Sequence, residues 1–238
     1  MAIDRMPTHH DWSLRMASIE CHGLWVPKSE ASRWEQCGEF EGLPNLDVKK
    51  AADCAALCSR FETALDIGAH VGAVSIYLSR KFKKVFAFEA VPSTYGFLRR
   101  NAEAIPNIEA LNLAIGSEGG EVYFAHYDTH GQLSHVASKV EEPKTTRVGP
   151  IAVRPIDSMD LGTVSFMKID VEGYELPVIE GARTTIERDR PLILVEQGGN
   201  DEKHFGRPRD EASAFLESLG MTRHPKAPFM SKDRLYTF

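Results

Sequence analysis

The chain has 238 residues, 42% of them hydrophobic, enough to bury a full core in one domain with an appendage. A formal net charge of -6 argues against a protein that grips duplex nucleic acid by neutralising phosphates. Nowhere is there an apolar run long enough to span a bilayer, and the first residues hold no apolar leader, so the sequence reads as soluble, cytoplasmic and without a membrane partner.

Residues 1–60 differ from the rest of the chain. They hold the three tryptophans, Trp12, Trp25 and Trp34, and the four cysteines, Cys21, Cys37, Cys54 and Cys58, with no CxxC spacing. The cysteines read as structural thiols of a reducing compartment. Leu24–Pro27 is expected as a short edge strand. Asp47 to Arg60 is expected as a helix, with Ala51, Ala52, Ala55, Ala56 and Leu57 on one side. His9 and His10 read as a solvated tail. The segment is taken as an N-terminal cap on a main domain of residues 61–238.

From Phe61 the pattern is regular. Glu62–Gly68 reads as a strand buried on both faces. Residues 73–82 read as a helix with Val74, Tyr77 and Leu78 inward. Lys84–Ala90 is the second strand, and Pro92 opens a helix to Glu103 at a position proline tolerates. Ile108–Ile115 is the third strand. The alternation then breaks at an insertion of about 120–154, where Glu121–Ala125 and Gly149–Arg154 read as strands flanking a polar stretch. It resumes with a strand at Val164–Asp170, a helix over 175–188, a strand at Pro191–Glu196 and a helix from Pro208 to Leu219. Met221–His224 and Arg234–Phe238 suggest a closing hairpin. The fold class is therefore α/β, a doubly wound sheet, mostly parallel with a terminal antiparallel strand, plus the N-terminal cap.

Two strand ends carry chemistry. The first strand stops at Gly68-Ala69-His70-Val71-Gly72, and the second stops at Glu89, about twenty residues past the turn. An acid so placed accepts hydrogen bonds from both ribose hydroxyls of an adenosine. Gly68 and Gly72 are spaced GxxxG rather than GxGxxG, so the pyrophosphate fingerprint is absent. A phosphate-free adenosine, S-adenosylmethionine, fits better, because its amino-acid tail needs an acid and room beside a glycine turn. The expected cofactor contacts are Asp66, Gly68, Ala69, His70, Gly72, Glu89 and Ala90, with Asn112 and Ala114 bordering the adenine and Asp170 at the far side. Asp66 has a second reading, as a cap of the turn.

The other dense cluster is Lys168-Ile169-Asp170-Val171-Glu172-Gly173-Tyr174-Glu175. Strand alternation puts Lys168 and Asp170 on one face, and Asp170 and Glu172 at the mouth of the sheet. Three acids within six residues repel, so one is expected to be ionised against a sulfonium, an ammonium, Lys168 or a metal. Asp170 is the first choice as base, followed by Glu172 and by His135 on the insertion. Glu175 reads as an acid favoured at a helix start. Asp170 and Glu196 end neighbouring strands and offer oxygens to a divalent metal, but a metal is not the favoured reading; Glu196 otherwise shapes the acceptor pocket.

Together LDIGAHVG (65–72), VFAFEAVPSTYGFLRRN (85–101), LNLAIGSEGG (111–120), VRPIDSMD (153–160), FMKIDVEGYELPVIEGA (166–182) and PLILVEQ (191–197) resemble the FkbM family of S-adenosylmethionine-dependent methyltransferases, over roughly residues 61–200. The resemblance implies a class I methyltransferase, Rossmann-like fold. It also implies methyl transfer to a hydroxyl oxygen of a sugar or small metabolite, hence a small-molecule or glycan acceptor. It supports Asp66, Gly68 and Glu89 as cofactor contacts and Asp170 and Glu172 as the active-site edge, and it points to Gly131-Gln132-Leu133-Ser134. His70 departs from the asparagine usual in the family, and residues 1–60 match nothing in it.

Two other classes stand beside this one. A methyltransferase acting on nucleic acid or protein would use the basic positions Lys81, Lys83, Lys84, Arg99 and Arg100, which read better as solvated surface; no NPPY-type motif follows the fourth strand. A non-catalytic cofactor-binding module is the third. Nothing in the sequence speaks to oligomeric state.

Overall fold

The protein is described by a computed structural model over residues 18–126, 135–136, 146–198, 206–225 and 232–238; of residues 124–126, 135–136 and 146–147 only the backbone is described. His9, His10, Trp12 and the 131–134 stretch lie outside the described residues.

Two small hairpins, β1 (Ser18–Cys21) with β2 (Leu24–Pro27) and β3 (Glu39–Phe40) with β4 (Leu43–Pro44), bracket a one-and-a-half-turn helix, α1 (Ala31–Gln36). Helix α2 (Val48–Ala55) comes next. It is shorter than the expected Asp47–Arg60, and buries Val48, Ala51, Ala52, Cys54 and Ala55. The four cysteines are free thiols, and burial pushes Cys54 and Cys58 up to about 12, which makes them inert.

The alternating segment then gives β5 (Thr63–Ile67), α3 (Ala73–Ser79), β6 (Lys84–Phe88), α4 (Pro92–Ala102) and β7 (Ile108–Leu111). Every residue of β5 is buried, as its continuous apolar run requires. The expected third strand does not run through to Ile115. Asn112 donates its side-chain amide to the carbonyls of Glu89 and Ala90, at 2.9 and 2.8 Å, and so turns the chain out of the sheet.

Ala114–Ile115 is instead a separate strand, β8. With β9 (Gly120–His126), β10 (His135–Val136) and β11 (Thr146–Arg154) it forms a second sheet of order β10-β9-β11-β8. The two strands read from the insertion fall within β9 and β11, which pair antiparallel.

Next come β12 (Val164–Ile169), α5 (Glu175–Glu180), α6 (Arg183–Asp189), β13 (Leu192–Glu196), α7 (Glu211–Ser218), β14 (Thr222–Arg223) and β15 (Asp233–Thr237). The helix expected over 175–188 is two helices. A Cβ on Gly181 would lie 2.0 Å from the Gly116 carbonyl oxygen, so the chain breaks where this loop presses in. The Asp157 carboxylate then accepts the N–H groups of Thr184 and Thr185 at 2.8 Å each, which starts α6 afresh.

The main sheet has the order β7-β6-β5-β12-β13-β15-β14. It is parallel except for β15, which runs against both neighbours. One of its faces carries Ala64, Phe166, Leu192, Leu194 and Leu235 against α2, α3 and the N-terminal hairpins, including Leu24, Val26 and Trp34. Its other face carries Leu65, Ile67, Met167, Ile169, Ile193 and Val195 against Val178, Ile179, Ile186 and Leu216 of α5–α7. Each fully buried Leu or Ile stabilises the fold by about 2 kcal/mol.

Polar ties fix the N-terminal segment. Asn101 of α4 accepts the Trp25 N–H and donates to the carbonyls of Trp25 and Val71, all at 2.8 Å. Lys50 on α2 lies 2.8 Å from Asp233 on β15. Among the described residues, no helix is long and apolar enough to cross a membrane.

Candidate active site

The chain leaves β5 toward β6 and β7 on one side and returns to β12 on the other, so the carboxyl ends of β5, β6, β12 and β13 frame the switch point where open α/β sheets bind ligands. Gly68 begins the turn after β5 at φ +81°, and a Cβ there would lie 1.8 Å from the Asp170 carbonyl oxygen. Only glycine fits both that backbone and that contact. The N–H groups of Gly68 and Ala69 both donate to the Phe88 carbonyl, at 3.0 and 2.9 Å, locking the turn to the end of β6. Gly72, at φ +93°, leads into α3 against Leu98.

Glu89 lies just past β6 and is 8% exposed. Its Oε2 accepts the His70 N–H at 3.0 Å and its Oε1 accepts the Val91 N–H at 2.8 Å. Each oxygen thus keeps accepting capacity for a further donor, such as a hydroxyl. Burial pushes its pKa up, against the pull of the His70 charge and of these two N–H groups. Asn112 holds the backbone just past Glu89, so its amide is committed to Glu89 and Ala90. Ala90 packs against a small cluster with Val91, Ala114, Ile151 and Val153 under the second sheet.

Asp66 is sealed, at 0% exposure. Its Oδ2 accepts the Ser75 hydroxyl at 2.5 Å and its Oδ1 lies 3.5 Å from Lys168 Nζ. In this geometry it ties the turn to α3 and to β12. Lys168, 5% exposed, also donates to the Gly68 carbonyl at 2.9 Å and sits 3.3 Å from Asp170 Oδ2. Burial works against its charge, yet Asp170 and Asp66 hold its pKa well above the ordinary lysine value.

Beyond Lys168 three acids converge. Asp170, Glu172 and Glu196 each place one carboxylate oxygen within 4.8 Å of the others. Burial raises all three, but Lys168 and a hydrogen bond with Glu196 bring Asp170 below its usual value. Glu196 is pushed up to about 9, by burial and then by the charge of Asp170. The two carboxyls therefore titrate as a pair, with Glu196 the more basic member. Glu172, at φ +56°, is raised by burial and by Asp170.

The loop carrying these acids is shaped by Glu175, whose Oε1 accepts the N–H groups of Val171 and Gly173 at 3.1 Å each. Glu175 opens α5, as its reading as a helix-start acid requires, and is at the same time a buried brace of the turn. Among the described residues, Asp170, Glu172 and Glu196 form a group able to hold a divalent cation. His135 lies on β10, and its side chain is outside the described residues.

The N-terminal segment reaches the same turn. The His70 ring stacks on Trp34 (centroids 5.6 Å apart, planes 5° apart), and its Nε2 lies 3.3 Å from Glu30 Oε2. Trp34 Nε1 donates to that same oxygen at 3.2 Å. Glu30, Trp34, Ser75 and Asn101 were not singled out from the sequence. Only the i,i+4 spacing of Glu30 and Trp34 gives a local signal, and it does not say what the pair faces.

A sheet of this order with one reversed strand next to the edge, a glycine turn after β5 and an acid after β6 beside it define the class I methyltransferase, Rossmann-like fold. Residues 66–221 match the family described as the methyltransferase FkbM domain, and the chain belongs to that family. It is similar to the hexuronic acid methyltransferase AglP of Haloferax volcanii, 26% identical over 165 residues that make up 66% of this chain and 65% of that protein. It is also similar to methyltransferase sdnD of Sordaria araneosa, 26% identical over 152 residues, 49% of this chain and 59% of the relative. The chain thus spans less than two thirds of the length of these curated relatives. The crystal structure of a methyltransferase FkbM from Methylobacillus flagellatus superposes with a TM-score of 0.50 at 21% identity, over 75% of this chain and 44% of that one.

Proposed function

We propose that the protein is an S-adenosylmethionine-dependent methyltransferase that methylates a hydroxyl oxygen on a sugar or small metabolite. The observation that carries this reading is Glu89. Both of its oxygens are oriented by backbone N–H groups at the lip of a glycine turn, two strands away from a set of carboxylates with divergent proton affinities. The residues fit the cofactor: an acid for the ribose, a turn without a pyrophosphate cradle, and acids for a cationic tail. The similarity to a hexuronic acid methyltransferase supports a sugar as acceptor.

When bound, S-adenosylmethionine would supply an electrophilic methyl carbon on a sulfonium, whose carbon–sulfur bond breaks as the acceptor oxygen bonds to the carbon, the electron pair staying on sulfur and S-adenosylhomocysteine leaving as a neutral thioether. Glu89 would hold the two ribose hydroxyls, and the Gly68–Gly72 turn with Ala69 and His70 would border the cofactor. Alignment of the acceptor oxygen with the methyl carbon contributes much of the acceleration. The hydroxyl must lose its proton as its oxygen bonds to carbon, and a group with a proton affinity near neutral does this best. Asp170, the first choice on sequence, is held charged by Lys168 and orients the acceptor. Glu172, whose pKa is raised, takes the proton.

The test is methyl transfer from labelled S-adenosylmethionine to a panel of hydroxylated sugars, hexuronic acids included, with Glu172→Gln as control. Labelled ether product with wild type and a loss of about a hundredfold or more in kcat with the variant are expected. Activity is expected to survive EDTA. Loss on EDTA treatment, restored by Mg²⁺, would instead assign Asp170, Glu172 and Glu196 to a metal.

A further inference from the structure

We propose that Glu30 and Trp34, in the N-terminal segment outside the family match, act through His70 as positioning residues for the cofactor; the inference rests on the cofactor reading above. His70 occupies φ +53°, a left-handed conformation that any side chain with a Cβ resists. What holds it there is on its other side. The imidazole lies flat against Trp34, which is buried in the core, and its Nε2 is 3.3 Å from Glu30. Trp34 Nε1 donates to the same Glu30 oxygen, so the three side chains form one closed set. Burial raises the pKa of Glu30, but the hydrogen bond and charge of His70, with the Trp34 donor and Arg33, bring it below the usual carboxylate value.

The backbone N–H of the same His70 donates to Glu89 Oε2 at 3.0 Å. The orientation of the ribose-binding carboxylate therefore depends on where the His70 ring is seated. That seat is built by residues 36 or more positions upstream. A purely structural role for the set would show only in stability. A positioning role shows in cofactor affinity, and shows it as coupling.

The experiment is calorimetric titration of S-adenosylhomocysteine into the full chain and into Glu30→Ala, Glu30→Gln, Trp34→Phe, His70→Asn and the Glu30→Ala/His70→Asn double variant. Asparagine is chosen because it tolerates the left-handed backbone while removing the ring. Glu30→Ala and His70→Asn are each expected to raise Kd about tenfold, the loss of one charge-assisted hydrogen bond. The double variant is expected to be no weaker than His70→Asn alone. Glu30→Gln, which retains an accepting oxygen, is expected to recover most of the affinity. Trp34→Phe, which keeps the stack and drops only the Nε1 donor, serves if Glu30→Ala does not fold. It should raise Kd by about threefold, and by nothing further in the His70→Asn background. Variants with lowered thermal midpoints but Kd within about twofold of wild type, or single effects that multiply in the double variant, overturn the proposal. A wild-type chain that binds no S-adenosylhomocysteine overturns the cofactor reading and this inference together.

Discussion

Glu89, buried, and Glu196, half-buried, are both acids at strand ends, but their surroundings give them opposite tasks. Glu89 is met by two backbone N–H groups and keeps its acceptor character, which suits a role in holding hydroxyl donors. Glu89→Gln replaces one accepting oxygen with an NH₂ group that faces either His70 N–H or Val91 N–H. The expected result is a rise of about tenfold to a hundredfold in the Kd for S-adenosylhomocysteine, read by calorimetry; unchanged affinity would remove Glu89 from the site.

Glu196 instead meets Asp170 and retains a proton. Its folded pKa, about 9, lies above the unfolded value of 4.5, so between those values the native state binds more protons than the unfolded chain. This group's contribution to stability therefore falls as pH rises through that window. Asp170 works the other way, but its lowered pKa matters only at acid pH. Denaturant midpoints at pH 6 and pH 8.5 are the measurement. Wild type should lose stability over that interval, and Glu196→Gln, a fixed mimic of the protonated carboxyl, should lose less. An equal loss in both would mean that the proton is not shared.

These residues were legible in the sequence to different degrees. The glycine turn and Glu89 stood out because both are local events at strand ends. Glu196 was visible as an acid ending the strand beside that of Asp170, but not as a group holding a proton. Its proton depends on β12 and β13 lying side by side, which the topology decides. Glu30 and Trp34 left only their i,i+4 spacing, since their partner is 36 or more residues away on an unrelated element.

At the scale of elements, apolar periodicity located the buried strands and helices, and side-chain and loop contacts moved their ends. Asn112 stops the third strand by taking two carbonyls, a competition that hydrophobic pattern alone does not register. The split between α5 and α6 has a similar origin. Gly181 falls inside the single helix expected over 175–188, and its close neighbour is a loop carbonyl that ends the helix. Gly181→Ala should force the Gly116 carbonyl, 2.0 Å from the new Cβ, to move and should destabilise the protein by about 1–3 kcal/mol in urea unfolding. A midpoint unchanged from wild type would show the 114–116 loop to be free to shift. Because Gly116 comes directly after β8, the same substitution tests how firmly the second sheet is seated on the main one.

For the molecule as a whole, the question is whether the N-terminal residues are an accessory or part of the fold. The family match begins at Asp66, and the sequence pattern places a cap–domain boundary at about residue 60. The packing points to integration. Leu24, Val26, Trp34, Leu43, Val48 and the small residues of α2 share one hydrophobic cluster with Ala64, Phe166, Leu192, Leu194 and Leu235 of the main sheet. Without them, one face of β5, β12 and β13 meets water. Five large apolar side chains at about 2 kcal/mol each come to about 10 kcal/mol, on the order of the whole net stability of a domain. The polar ties go with them. Asn101 would lose Trp25, Asp233 would lose Lys50, and the Asp189 carbonyl would lose the Arg60 guanidinium. A chain starting at Phe61 is therefore expected to keep far-ultraviolet circular dichroism but lose the near-ultraviolet signal, to bind ANS, and to unfold without a cooperative transition. Should that shortened chain unfold cooperatively and titrate S-adenosylhomocysteine as the full chain does, the first sixty residues would be an add-on, and His70 would hold its left-handed turn without Trp34 beneath it.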